Sequence, residues 1–108
     1  MSLSGNFGSV SLEGDRVRAI GNSVDIGGFD TVSLHVAIVQ GDGVLVHGPA
    51  QVSGGTWVTD PPLPDGGLAE GAALGLASQT VVNVAEGTPP SFLTFTWSEQ
   101  LTITSKGA

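Results

Sequence analysis

A chain of 108 residues makes about one domain, here residues 1–108, and can bury a single core. Ten carboxylates against three Lys and Arg leave a net charge of −7, which repels phosphate backbones and anionic headgroups and argues against nucleic acid or membrane surfaces as partners. The absence of Cys removes disulfides, thiolate metal sites and cysteine nucleophiles.

Seventeen Gly, six Pro, many Val and Thr and no helical apolar spacing predict short strands joined by turns, with almost no helix. No run approaches the roughly 18 apolar residues of a membrane span, so no membrane insertion is expected. Met1-Ser2-Leu3-Ser4-Gly5-Asn6 lacks the basic start and apolar core of a signal peptide. Over 7–12, Val10 and Leu12 share one side and Ser9 and Ser11 the other, a short first strand turned by Gly14-Asp15. In 16–26, Val17 and Ala19 have one parity and Ile20, Val24 and Ile26 the other, which fits two strands or one strand kinked at Gly21-Asn22.

After a turn at Gly27-Gly28-Phe29-Asp30, residues 31–40 alternate with Val32, Leu34, Val36 and Ile38 inward and Ser33, His35, Ala37 and Val39 outward. A three-residue loop, Gly41-Asp42-Gly43, then pairs Gln40 with Val44 and Ile38 with Val46, which keeps both valines on the core side. It also brings His35 and His47 together outside. The prolines of Asp60-Pro61-Pro62-Leu63-Pro64-Asp65-Gly66-Gly67 lack donor N–H groups, so this tract reads as a surface connection. Over 68–78 Ala and Leu would suit a helix, but Gly67, Gly71 and Gly75 each cost about 1 kcal/mol there relative to Ala. A strand is expected, its small side lying under Trp57 or Trp97, and 79–85 either extend it or make a short further strand. Glu86-Gly87-Thr88-Pro89-Pro90 turns the chain into a long strand over 93–104, with Leu93, Phe95, Trp97, Leu101 and Ile103 on one side and hydroxyl residues on the other.

About seven or eight such strands predict an all-β fold, an antiparallel two-sheet β-sandwich. Ala50-Gln51-Val52-Ser53-Gly54-Gly55-Thr56-Trp57, then Pro62-Leu63-Pro64-Asp65-Gly66-Gly67 and the small-residue strand from Leu68, resembles the pattern of bacterial immunoglobulin-like domains over residues 50–78. The resemblance implies an immunoglobulin-like sandwich from a bacterial surface or secreted protein, hence an extracellular or cell-surface location. Where such domains often carry a Tyr and an Asp-rich loop, this chain has Thr80-Val81-Val82-Asn83.

Few constellations point to chemistry. His35 and His47 are diagonal neighbours, but a stable zinc site needs three or four ligands, and no further His or Cys exists. Asp25, Asp30, Asp42, Asp60 and Asp65 sit in or beside turns, where Asp serves its own backbone, and no calcium-loop spacing occurs. The Gly-x-Ser-x-Gly and phosphate-loop spacings are absent. No catalytic residue, metal or cofactor is expected. Trp57 offers either a surface that stacks on a sugar or anchors a protein interface, or a cap on the core edge. Val39 and Leu45 share the outer side with the histidines and Phe92 is outward on the last strand, a surface suited to dimerisation or a neighbouring domain if contiguous. The reading that follows is a non-catalytic structural or protein-interaction module, with a protein partner or self-association. A carbohydrate-binding module and a small self-assembling β-sandwich are the alternatives.

Overall fold

The computed structural model describes residues 5–25, 27–41, 44–63, 68–83, 87 and 89–105. Among them are eight strands and no helix: β1 (Asn6–Glu13), β2 (Arg16–Asn22), β3 (Phe29–Gln40), β4 (Val44–Pro49), β5 (Gln51–Ser53), β6 (Thr56–Thr59), β7 (Gly71–Asn83) and β8 (Phe92–Ser105). The all-β class agrees with the sequence reading. The separation into two antiparallel sheets does not, because the strands form one hydrogen-bonded sheet in the order β4-β3-β7-β8-β1-β2-β6-β5. It is mixed: β1 and β8 run parallel, Val10 beside Ile103, whereas the other pairs are antiparallel.

The two ends of that order are consecutive in the chain. Only Ala50 separates β4, which pairs with β3, from β5, which pairs with β6. The Ala50 N–H donates to the Leu34 carbonyl at 2.8 Å, the last bond toward β3, and the Thr59 hydroxyl donates to the Pro49 carbonyl at 2.8 Å, the first toward β6. Residues 44–53 thus act as one bent strand that changes neighbours and nearly closes the sheet into a barrel. Neighbouring strand residues point their amides to opposite sides, so Pro49 lacks its N–H on the side away from β3, where no ladder exists.

Beyond β6 the proline tract keeps some sheet character. Val17 N–H donates to the Pro61 carbonyl at 3.0 Å and Leu63 N–H to the Asp15 carbonyl at 2.8 Å. Pro62 opposes Arg16 between these bonds, where its missing N–H interrupts nothing.

The core lies inside the curve. Phe7, Val10, Val17, Ala19, Leu34, Val36, Ile38, Val46, Trp57, Ala77, Leu101 and Ile103 are buried in one cluster. Trp57 is fully buried, edge-on to Phe7 with ring centroids 5.0 Å apart, and donates to the carbonyls of Asn6 at 3.2 Å and Asn22 at 3.0 Å. It lies over Gly21, where a Cβ would stand 2.6 Å from the indole. The small side of β7 does face the core, but Gly75 is covered by Phe7 and Leu101, each 2.8 Å from where its Cβ would be, rather than by a tryptophan.

Two inward assignments change, and the ambiguity over 16–26 is resolved. Val32 is 56% exposed, because a register shift between Thr31 and Ser33 turns it out of the alternation. Leu93 is exposed because β1 joins β8 only at Ile103 and beyond, leaving the start of β8 uncovered on that flank. The parity change over 16–26 is the end of β2: Val24 lies outside the strand and is buried where the Gln79 side chain holds its backbone. Ile26, Asp42, Gly43 and 64–67 lie outside the described residues.

Candidate functional site

Alternation leaves one side of β4, β3, β7 and β8 outside the core, and the registers align its residues in rows. Leu45, Val39, Leu74 and Gln100 form the first. His47, Ala37, Leu76 and Ser98 follow, then Pro49, His35, Ser78 and Thr96, then Ser33, Thr80 and Thr94. None of these positions is Asp, Glu, Lys or Arg, in a chain with ten carboxylates.

The first two rows hold the aliphatic residues, with Gln100, His47 and Ser98 at their ends. Leu45 is 50% exposed, Leu74 40% and Leu76 38%, and Val39 and Ala37 are half-buried between them. Directly paired side chains in adjacent strands lie about 5 Å apart, so these five make a contiguous patch. An open depression of about 540 Å³ runs beside it, lined by His35, Ala37, Leu76, Ser78, Thr96 and Ser98 together with Ala77 and Trp97. The third and fourth rows carry hydroxyls, two of which, on Thr80 and Thr94, are bonded at 3.0 Å.

His35 and His47 meet as the diagonal register requires, with His35 Nε2 3.2 Å from His47 Nδ1 and both rings exposed. One ring nitrogen donates and the other accepts, so the pair satisfies itself on an open surface. Among the described residues no Asp or Glu joins it and no metal-holding cluster exists. On its other side His47 borders a groove of about 710 Å³ with Arg16 and Arg18. Both cations are engaged, Arg16 with the Asp60 carbonyl at 2.9 Å and Arg18 with Glu13 at 4.0 Å.

The remaining sequence candidates are dispersed. Phe92 is 62% exposed opposite Val82, beyond the hydroxyl rows and apart from the aliphatic patch. Trp57 presents no ring surface to a ligand, since burial and two carbonyl acceptors hold it in the core. Asp25 and Asp30 border one depression of about 620 Å³, whereas Asp60 lies in the Arg16 groove; Asp42 and Asp65 are outside the described residues.

Leu74 and Leu76 are the site residues not identified from the sequence. Their signal is the alternation with Gly71, Ala73, Gly75 and Ala77: if the small residues face the core, the leucines face out. No helix among the described residues is long and apolar enough to cross a membrane. Comparison with protein-family models, curated proteins and solved structures finds no match.

Proposed function

We propose that the chain is a non-catalytic protein-interaction module whose working surface is the outer side of β4-β3-β7-β8. The observation that carries this is the contiguous aliphatic patch within four rows free of Asp, Glu, Lys and Arg on a strongly acidic protein; Asp30, opposite Val82, is on the same side but beyond the hydroxyl rows. Exposed apolar surface of this kind, rimmed by hydroxyls and imidazoles, is characteristic of docking sites. The histidines bond to each other rather than to a hydroxyl nucleophile, which favours binding over catalysis. Kinship with bacterial immunoglobulin-like domains, and with it a place on a surface or secreted protein, belongs to the same proposal. Its support is the β5–β6 hairpin turned by Gly54-Gly55, with Trp57 in the core, followed by the small-residue strand β7.

The test is binding of an uncharged solvatochromic dye, Nile red, to dilute folded protein. The dye should bind, and Leu74→Lys should abolish binding while changing unfolding free energy by no more than about 0.5 kcal/mol. Absence of dye binding, or binding indifferent to Leu74→Lys, would remove the surface from consideration.

A further inference from the structure

We infer that the partner of this surface is a second copy of the chain, stacked sheet on sheet about a two-fold axis that runs along the strands between β3 and β7. The inference rests on the docking-surface reading and adds the identity and register of the occupant.

Charge argues for the occupant. Two copies at −7 repel each other over most approaches, and the rows described above form a broad area through which they can meet without desolvating a carboxylate. A basic partner would gain nothing from rows that carry no charge and would be drawn to the carboxylates beyond them, Asp30 among these. Self-complementarity also needs no second sequence, since one uncharged patch suits its own copy.

Area argues for the affinity. Four strands about 4.8 Å apart and four rows about 6.8 Å apart make a patch of roughly 500 Å² in projection, so two copies would bury on the order of 1,000–1,200 Å² once side-chain relief is included. That lies at the low end for specific interfaces and fits a reversible dimer rather than a permanent one.

The row pattern selects the axis. Facing sheets pack with strands aligned to within about 30°. A two-fold across the strands at the centre of the four rows, the placement that buries all of them, would lay the row of Leu45, Val39 and Leu74 over Ser33, Thr80 and Thr94, placing apolar groups against hydroxyls that lose water without gaining partners. A two-fold along the strands lays each row over its own reversed copy. Val39 then meets Leu74 of the second copy, Ala37 meets Leu76, His35 meets Ser78 and Leu45 meets Gln100. Val39, Ala37, Leu74 and Leu76 meet as aliphatic pairs and each imidazole meets a hydroxyl, while at the margin Leu45 lies against the Gln100 side chain.

The test is sedimentation equilibrium from 1 to about 300 µM, a window spanning micromolar dissociation constants, with circular dichroism confirming the fold of every variant. Wild type should dimerise within this range. Leu74→Lys and Val39→Glu should each weaken self-association at least about tenfold, as expected when a buried apolar contact meets a charge, whereas Phe92→Lys, outside the rows, should change it less than about twofold. Mixing Val39→Glu with Leu74→Lys should restore a heterodimer, because each altered side chain then faces an opposite charge across the axis. If Val39→Glu does not fold, Leu45→Glu mixed with Gln100→Lys asks the same question of the same row. A protein monomeric throughout that still binds Nile red in a Leu74-dependent way would overturn the second-copy assignment and leave the docking surface standing. A monomer that binds no dye would overturn both. A dimer indifferent to Leu74→Lys, or a mixture that fails to reassociate, would overturn the register.

Discussion

Trp57 and Trp97 differ in what their indole N–H groups meet. Trp57 donates to two main-chain carbonyls that close the gap between β1 and β2, whereas the buried Trp97 Nε1 has no acceptor among the described residues. Removing a satisfied buried donor leaves acceptors stranded, but removing an unsatisfied one relieves a cost. Trp57→Phe should therefore destabilise by about 2 to 4 kcal/mol, and Trp97→Phe by no more than about 1 kcal/mol, as read from urea unfolding followed by circular dichroism. Equal losses would refute this division of roles. Gln79 is the other residue on which much rests. Fully buried, it accepts from Val24 N–H at 2.8 Å and donates to the Val24 carbonyl and the Thr31 hydroxyl at 3.0 Å each, so its side-chain amide stands in for a strand partner. Gln79→Leu keeps the volume and strands the Val24 amide and carbonyl. The expected loss is about 2 to 4 kcal/mol, with hydrogen exchange at the Val24 amide accelerated more than at β7 and β8 amides.

Among the elements, the bent strand of β4 and β5 decides the architecture. Its hinge is the bond from Ala50 N–H to the Leu34 carbonyl. Ala50→Pro removes that donor and should cost about 2 to 3 kcal/mol, with exchange protection lost first in β5 and β6 and kept in β7 and β8. Uniform loss across the sheet would show that closure is not a separable step. This closure is legible in the sequence only in part, because Gly48-Pro49 suits either an end or a bend of the strand and only the spatial arrangement supplies β6 as the next partner. The β3–β4 hairpin is legible, since alternation on both arms permits one register, and that register joins His35 to His47 as expected. Val32 shows the limit of the same reasoning: its alternation is unbroken in the sequence, yet a one-residue register shift puts it in solvent. In β7 the hydrophobic rule misleads in the other direction. Leucines lie outside and glycine and alanine inside, because Phe7 and Leu101 already fill the core above Gly75. Two of the five residues of the aliphatic patch, Leu74 and Leu76, are invisible to a search for large residues facing inward.

At the scale of the whole molecule, charge opposes compactness. The sequence places ten carboxylates against three cations, and the structure offers few local offsets: Arg18 reaches Glu13 only at 4.0 Å, and Arg16 is turned to a carbonyl. Exposed pairs of this kind contribute at most about 1 kcal/mol, so the excess negative charge acts mainly as distributed repulsion. The body measures 53 × 23 × 22 Å, whereas the screening length falls from about 30 Å at 0.01 M salt to about 3 Å at 1 M. At low salt most carboxylates therefore sense one another across the width of the molecule, and at high salt only near neighbours do. The melting temperature should rise by several degrees between these limits, since about 1 kcal/mol corresponds to roughly 4 to 8 °C for a domain of this size. Neutralising Asp25, Asp30 and Asp60 together to Asn, all exposed and none of them in the four rows, should raise the low-salt melting temperature and flatten the salt dependence. Calorimetry of both proteins at each salt concentration reads this directly. A variant whose melting temperature climbs with salt as steeply as wild type would assign the gain to salt strengthening apolar burial rather than to relief of repulsion.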